Sequence, residues 1–155
     1  MSWFKRLKEG IQTTTKNKKE APDGLWYKCK ECKEASTMKE FKENYYKCPK
    51  CDYHARIGSK EYFEIIFPQG HTALFNNIES EDFLNFVDLK PYKDRLVDAK
   101  KKTKLDDSLS VAYGQLGDFK IPLTVACMDF SFIGGSMGSV VGEKIALAIE
   151  YCIEK

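Results

Sequence analysis

Four of the six cysteines fall in two pairs, Cys29-x-x-Cys32 and Cys48-x-x-Cys51, with fifteen residues between the pairs. Two residues between thiolates let one tight knuckle place both sulfurs on the same ion, and two knuckles close a tetrahedron with metal–sulfur distances of about 2.3 Å. This spacing predicts a zinc site. Four sulfurs leave no position for water, so the site is expected to be structural and not catalytic. An iron–sulfur centre and a chance pattern are the alternatives. His54 lies close enough in sequence to replace one thiolate, but with four cysteines present it reads as an exposed histidine. Lys28, Lys30, Lys33, Lys47 and Lys50 crowd the cysteines, and their charge would offset the net −2 of a zinc–tetrathiolate centre. Cys127 and Cys152 sit in apolar patterns and are expected to be buried small hydrophobes.

A second feature is Gly134-Gly135-Ser136-Met137-Gly138, between a predicted strand and a predicted helix. Glycines there let backbone N–H groups approach a ligand, and a helix N-terminus favours an oxygen anion. The segment matches neither the Walker pattern nor the dinucleotide fingerprint. A structural tight turn and a ligand contact both remain open. The chain has two histidines, His54 and His71, and no Ser-His-Asp or Cys-His constellation can be assigned. His71 reads as a surface residue in a polar loop.

The elements that must position these residues differ along the chain. Residues 1–22 read as an N-terminal arm and linker: Trp3, Phe4 and Leu7 share one face of a short helix ended by Gly10, and 13–20 is polar and lysine-rich. Residues 23–57 contain cysteine, lysine and aromatic side chains, with no Leu, Ile or Val between Leu25 and Ile57. Such a segment cannot build an aliphatic core, so a metal is expected to order it. Residues 58–155 read as α/β. Ser59 is expected to cap a helix closing near Pro68, Ser80 a second helix through Val87, and Pro91 to open a third that carries Lys100 to Lys104 at its end. Strands are expected at 110–116 and 120–130, joined by Gly117-Asp118, with Pro122 marking an edge position or a strand start. A last helix carries Val141, Ile145, Ala148, Ile149 and Cys152.

At 155 residues with 31% charged side chains the chain reads as globular, and no apolar run is long enough to span a membrane. The N-terminus lacks the features of a secretory signal, which points to a cytoplasmic protein and against disulfides. The net charge is +2, but residues 1–60 carry an excess of seven positive charges and residues 61–155 an excess of five negative ones. A basic, aromatic metal ribbon makes nucleic acid a candidate partner beside the plainer reading of a solvated lysine-rich surface.

The chain resembles the beta subunit of bacterial acetyl-CoA carboxylase carboxyltransferase. The resemblance is carried by Met1-Ser2-Trp3-Phe4, by the four cysteines with Cys48-Pro49-Lys50-Cys51-Asp52-Tyr53-His54, by Tyr92-Lys93-Asp94-Arg95-Leu96, and by the run from Phe132 through Gly134, Gly135 and Gly138 to Gly142. It implies a small zinc ribbon followed by the start of a crotonase-like (ClpP/crotonase superfamily) domain. It implies a transferase of fatty acid biosynthesis that moves a carboxyl group from carboxybiotin to acetyl-CoA, giving malonyl-CoA. The implied cofactors are structural zinc and biotin carried by a partner. The implied partners are the carboxyltransferase alpha subunit, the biotin carboxyl carrier protein and biotin carboxylase, with two alpha and two beta subunits assembled. Cys29, Cys32, Cys48 and Cys51 transfer as metal ligands, and Gly134, Gly135 and Gly138 as a wall of an acyl-CoA pocket. The Gly-Gly-Ala-Arg segment that resembles the family's oxyanion hole is not in this sequence, so no catalytic residue is assigned and the chain is expected to be inactive alone. The alternative is a zinc-ribbon module that binds nucleic acid.

Overall fold

The computed structural model describes residues 24–155. The helix expected near the N-terminus and the polar linker after it lie outside the described residues. The chain divides into two compact units, Met1–His54 and Ala55–Lys155.

The described part of the first unit is small. Strands β1 (Trp26–Lys28) and β2 (Ala35–Thr37) pair antiparallel, Tyr27 opposite Ser36. Helix α1 (Met38–Glu43) follows directly. Its start is written locally as Thr37-x-x-Glu40: the Thr37 hydroxyl accepts from the Glu40 N–H at 3.2 Å, and the Glu40 carboxylate accepts from the Thr37 N–H at 3.0 Å. With no Leu, Ile or Val between Leu25 and Ile57, the unit packs on aromatics. Phe41 is buried, Tyr27 stacks on it at 3.7 Å, and Tyr46 meets its edge at 5.4 Å.

The second unit is built on strand β4 (Leu109–Leu116), the centre of a three-stranded antiparallel sheet in the order β3 (His71–Leu74), β4, β5 (Ile121–Met128). The β4–β5 hairpin pairs Leu116 with Ile121 across a short turn at Gly117–Phe119. Pro122 does lie on an edge strand, where its missing N–H costs no ladder bond. Alternation along β4 then sets two cores. Leu109 and Val111 pack with Val141, Ile145 and Ala148 of helix α4 (Ser139–Glu154). Ala112, on the other face, packs with Phe63 and Phe67 from helix α2 (Ser59–Ile66) and its C-cap, together with Leu123, Val125 and Cys127. Helix α3 (Tyr92–Thr103) begins after Pro91 and ends at Lys104 in the left-handed conformation, with Lys100, Lys101 and Lys102 in its last turn as expected.

Four expectations are corrected. Ser59 is the first residue of α2 and not its cap: Gly58 is the cap position, and the Ser59 N–H donates to both oxygens of Asp129 at 3.1 and 3.2 Å. Residues 80–87 form no helix, because Asp82 Oδ1 accepts from the Phe86 N–H at 3.1 Å and Asn85 takes a positive φ, which together divert the backbone. His71 starts strand β3 and is not in a loop; it is exposed, with its ring 5.2 Å from that of Phe63. Cys127 is only partly buried and Cys152 is exposed near the C-terminal end of α4.

A close apolar approach lies at Gly114 on β4. A Cβ there would sit 2.7 Å from Cδ1 of Phe67, which is itself 2% exposed. Gly114→Ala is expected to destabilise the second unit by about 1–3 kcal/mol through overpacking. Thermal unfolding followed by near-ultraviolet circular dichroism checks it; an unchanged midpoint would mean that Phe67 moves aside freely.

Candidate metal centre

The two cysteine knuckles have the same backbone geometry, although their intervening residues differ. In the first, the Cys29 N–H donates to the Glu34 carbonyl at 2.9 Å. In the second, the Cys48 N–H donates to the Tyr53 carbonyl at 2.8 Å. In both, the residue after the second cysteine is left-handed, Lys33 at φ 62° and Asp52 at φ 60°. The first knuckle joins β1 to β2; the second is closed by the bridge between Lys47 and His54. Each hairpin therefore turns its two sulfurs to one side.

All four sulfurs lie within 4.8 Å of one another. Cys29 and Cys51 are 3.7 Å apart, and Cys32 and Cys48 are 3.8 Å apart. A disulfide needs about 2.05 Å. Four sulfurs at about 2.3 Å from a central ion, at tetrahedral angles, stand about 3.8 Å from each other. The group fits a tetrathiolate and could hold a metal such as zinc. Cys29 and Cys48 are buried, Cys32 is half-buried and Cys51 is exposed.

The electrostatics are those of crowded sulfurs. Burial opposes ionisation of Cys29, but the Cys32 and Glu31 N–H groups and the neighbouring sulfurs outweigh it and bring the thiol down to about 7. At Cys51 the Tyr53 N–H favours the thiolate, yet burial and the other three sulfurs prevail and push the thiol up to about 12. Cys32 is also raised, by burial and the Cys29 and Cys48 sulfurs, against the Glu34 N–H. One thiolate forms readily and the next ones are resisted, as expected where several like charges share a site. Of the flanking lysines, Lys47 pairs with Asp52 at 3.1 Å and Lys33 donates to the Lys30 carbonyl. His54 is exposed and lies outside the sulfur cluster.

The glycine segment of the second unit is a separate feature. Ile133–Gly135 forms one tight turn in which Gly134 and Gly135 take φ of 69° and 73°. That backbone requirement accounts for both glycines. Gly138 differs: it is the N-cap of α4 at an ordinary φ of −96°, and a Cβ there would meet open space. Its small size serves no packing within the described residues.

Sequence reasoning missed a set of buried polar groups behind this turn. Ser108, 1% exposed, donates from Oγ to the Ser136 carbonyl at 2.7 Å, and its own carbonyl accepts from the Asp129 N–H at 2.7 Å. It thus anchors both ends of the segment 129–136. Lys144 of α4 is buried and donates to the Leu109 carbonyl at 3.1 Å; burial lowers its pKa against the pull of Asp107 and Asp106. Its signal was visible: it stands on the apolar stripe with Val141, Ile145 and Ala148. Burial, then Asp129 and Glu61, push the Cys127 thiol up to about 11, so it is a poor nucleophile.

No family model matches the chain. It is 55% identical over 156 residues to the acetyl-coenzyme A carboxylase carboxyl transferase subunit beta of Pedobacter heparinus, covering 99% of this chain and 54% of that protein. It is 52% identical to the protein of the same name from Amoebophilus asiaticus and 49% identical to that from Flavobacterium psychrophilum, each over 155 residues, again 99% of this chain and 54% of the relative. The resemblance to carboxyltransferase beta subunits runs along almost the whole chain. The chain spans about half the length of the curated relatives it matches.

Ser108→Ala is expected to free the Ser136 carbonyl, cost about 1 kcal/mol, and raise hydrogen exchange at Gly135 and Met137 more than at Val111. Uniform exchange would show that Ser108 does not anchor the turn.

Proposed function

We propose that this chain acts as part of an acetyl-CoA carboxylase carboxyltransferase, in the role of a beta subunit. The observation that carries the reading is the 49–55% identity to three proteins of that name over 99% of this chain. In this reading residues 23–57 are a zinc ribbon, preceded by an arm and linker at 1–22, and residues 58–155 are the opening part of a crotonase-like domain. The protein works in the cytoplasm in fatty acid biosynthesis, where the complex passes a carboxyl group from biotin on its carrier protein to acetyl-CoA. The alpha subunit and biotin carboxylase complete the assembly.

Cys29, Cys32, Cys48 and Cys51 would hold the zinc. With every position taken by sulfur, the ion supplies a cross-link and no reaction chemistry. Such binding is worth roughly 10–16 kcal/mol apparent in small metal-ordered folds, enough to replace the aliphatic core that this segment lacks. Gly134, Gly135 and Gly138 form one wall of the acyl-CoA pocket. The open space around Gly134 and Gly138 supports this, since a ligand could approach the backbone there.

A second reading, nucleic-acid contact by the ribbon, is favoured by the exposure of Trp26 (59%) and Tyr45 (72%) among its lysines. Phosphate neutralisation and base stacking would supply the energy.

Two measurements test the main reading. Elemental analysis is expected to find one zinc per chain, and Cys29→Ala or Cys48→Ala to abolish tight binding and unfold residues 25–56. Near neutral pH the raised thiols of Cys32 and Cys51 must give up protons to the buffer on zinc uptake, so affinity falls as pH falls. A zinc-free preparation with a normally folded ribbon defeats the metal assignment. In a binding assay the chain is expected to associate with a carboxyltransferase alpha subunit, and no association would count against the beta-subunit role.

A further inference from the structure

The four sulfurs of the metal centre are not equivalent. Cys29 and Cys48, the first cysteines of the two knuckles, are 1% and 2% exposed, whereas Cys32 is half-buried and Cys51 is open to solvent. Their contacts cross from knuckle to knuckle: Cys51 lies 3.7 Å from Cys29, and Cys32 lies 3.8 Å from Cys48. Each contact therefore joins the second cysteine of one knuckle, which solvent reaches, to the first cysteine of the other, which is shielded.

This asymmetry has a chemical consequence. A sulfur that coordinates a cation is held as thiolate. Among thiolates, access to solvent selects which one an oxidant reaches first. In this cluster that sulfur is Cys51. Its partner across the gap is Cys29, and closing a bond between them needs a movement of about 1.7 Å from their present separation. Cys48, the neighbour within its own knuckle, already has the Lys50 N–H at 3.5 Å and the Cys32 sulfur at 3.8 Å against it.

We propose that Cys51 is an oxidation site, and that hydrogen peroxide converts the metal centre into a disulfide between Cys51 and Cys29. The Cys51 thiolate attacks one peroxide oxygen; the O–O bond breaks, hydroxide leaves, and Cys51 becomes a sulfenic acid. The Cys29 thiolate then attacks the Cys51 sulfur; the S–S bond forms, the S–O bond breaks, and a second hydroxide leaves. Two thiolates are oxidised and one peroxide is reduced to two hydroxides. Cys32 and Cys48 remain, too few to retain a structural ion that takes four ligands. The new bond joins the two hairpins directly, so the knuckles stay linked once the ion has gone. The proposal rests on the metal reading of residues 23–57 and is separate from the carboxyl-transfer reading.

Peroxide titration of the zinc-loaded full chain tests it. Zinc release is followed with a chromogenic chelator, and thiols are mapped by differential alkylation and mass spectrometry. Lys28, Lys30, Lys33, Lys47, Lys50 and Arg56 place each of the four cysteines on its own tryptic peptide, so the pairing is resolved. The Cys29–Cys51 linked peptide is expected first, mole for mole with released zinc, and dithiothreitol with added zinc should reverse both. Cys152→Ser, which removes the other exposed thiol, should leave the release rate unchanged. A first product linking Cys48 to Cys51 or Cys29 to Cys32 overturns the proposal. So does zinc that stays bound after Cys51 is oxidised, or release that disappears in Cys152→Ser. Zinc content before any oxidant separates the two levels of failure. A zinc-free chain with a folded ribbon overturns the metal reading and this proposal with it, whereas a loaded chain with the wrong pairing overturns the proposal alone.

Discussion

Four sulfur atoms within 4.8 Å cannot all ionise unless a cation stands among them. That constraint governs the first unit. Nothing else between Leu25 and Ile57 is able to pull the chain together: the aromatic set of Tyr27, Phe41 and Tyr46 forms one small stack, and the two-stranded hairpin has three residues a side. An isolated hairpin of that size is marginal in water. The repeated left-handed residue after each second cysteine, Lys33 and Asp52, is a further cost, because non-glycine residues adopt that conformation reluctantly. Two independent segments accept this same cost with the same hydrogen bond, which makes sense if both must present sulfurs to one point.

The second unit is organised by a different means. β4 is covered by α4 on one face and α2 on the other, so its side chains are apolar on both, in the manner of a strand at the centre of a layered domain. β5 has a neighbour on one side only, and the outer face of α4 leaves Ile149 and Ile153 in solvent. Surface of this kind is expected to be covered in a larger assembly.

Legibility in the sequence followed the range of the interactions. The cysteine pairs could be read because a knuckle is local, and α3 because Pro91 and the closing lysines are local signals. The β4–β5 hairpin followed from its turn and the alternation along Ile121, Leu123, Val125 and Cys127. β3 was not legible: His71 to Leu74 has no alternation of its own and is ordered by pairing with β4, Thr72 opposite Tyr113. Apolar residues at 83, 84, 86 and 87 mimic a helical stripe, and only the side chains of Asp82 and Asp88 reveal that the backbone is engaged otherwise. Cys152 continued the apolar period of α4 in sequence yet is exposed. The convergence of the four sulfurs was anticipated in kind, but the burial of Cys29 and Cys48 against the exposure of Cys51 is a tertiary property that the spacing does not carry.

The placement of the glycine turn shows why some of the site escapes a reading of motifs. Gly134 and Gly135 permit the turn, but they do not locate it. Location comes from Ser108, which holds Ser136 through its hydroxyl and Asp129 through its carbonyl. Asp129 in turn receives the first N–H of α2 on both carboxylate oxygens. That approach needs Gly58, where a Cβ would lie 2.5 Å from Asp129 Oδ1. Ser59, Ser108, Asp129 and Ser136 thus form one chain of contacts from the start of α2 to the residues before α4. A shift of the turn would have to break a buried hydrogen bond at Ser108 or drag Asp129 from the end of α2. Both are costly away from water. The turn is therefore held through a contact that reaches seventy positions back in sequence, from Asp129 to Ser59, and no glycine takes part apart from Gly58, whose contribution is the side chain it lacks.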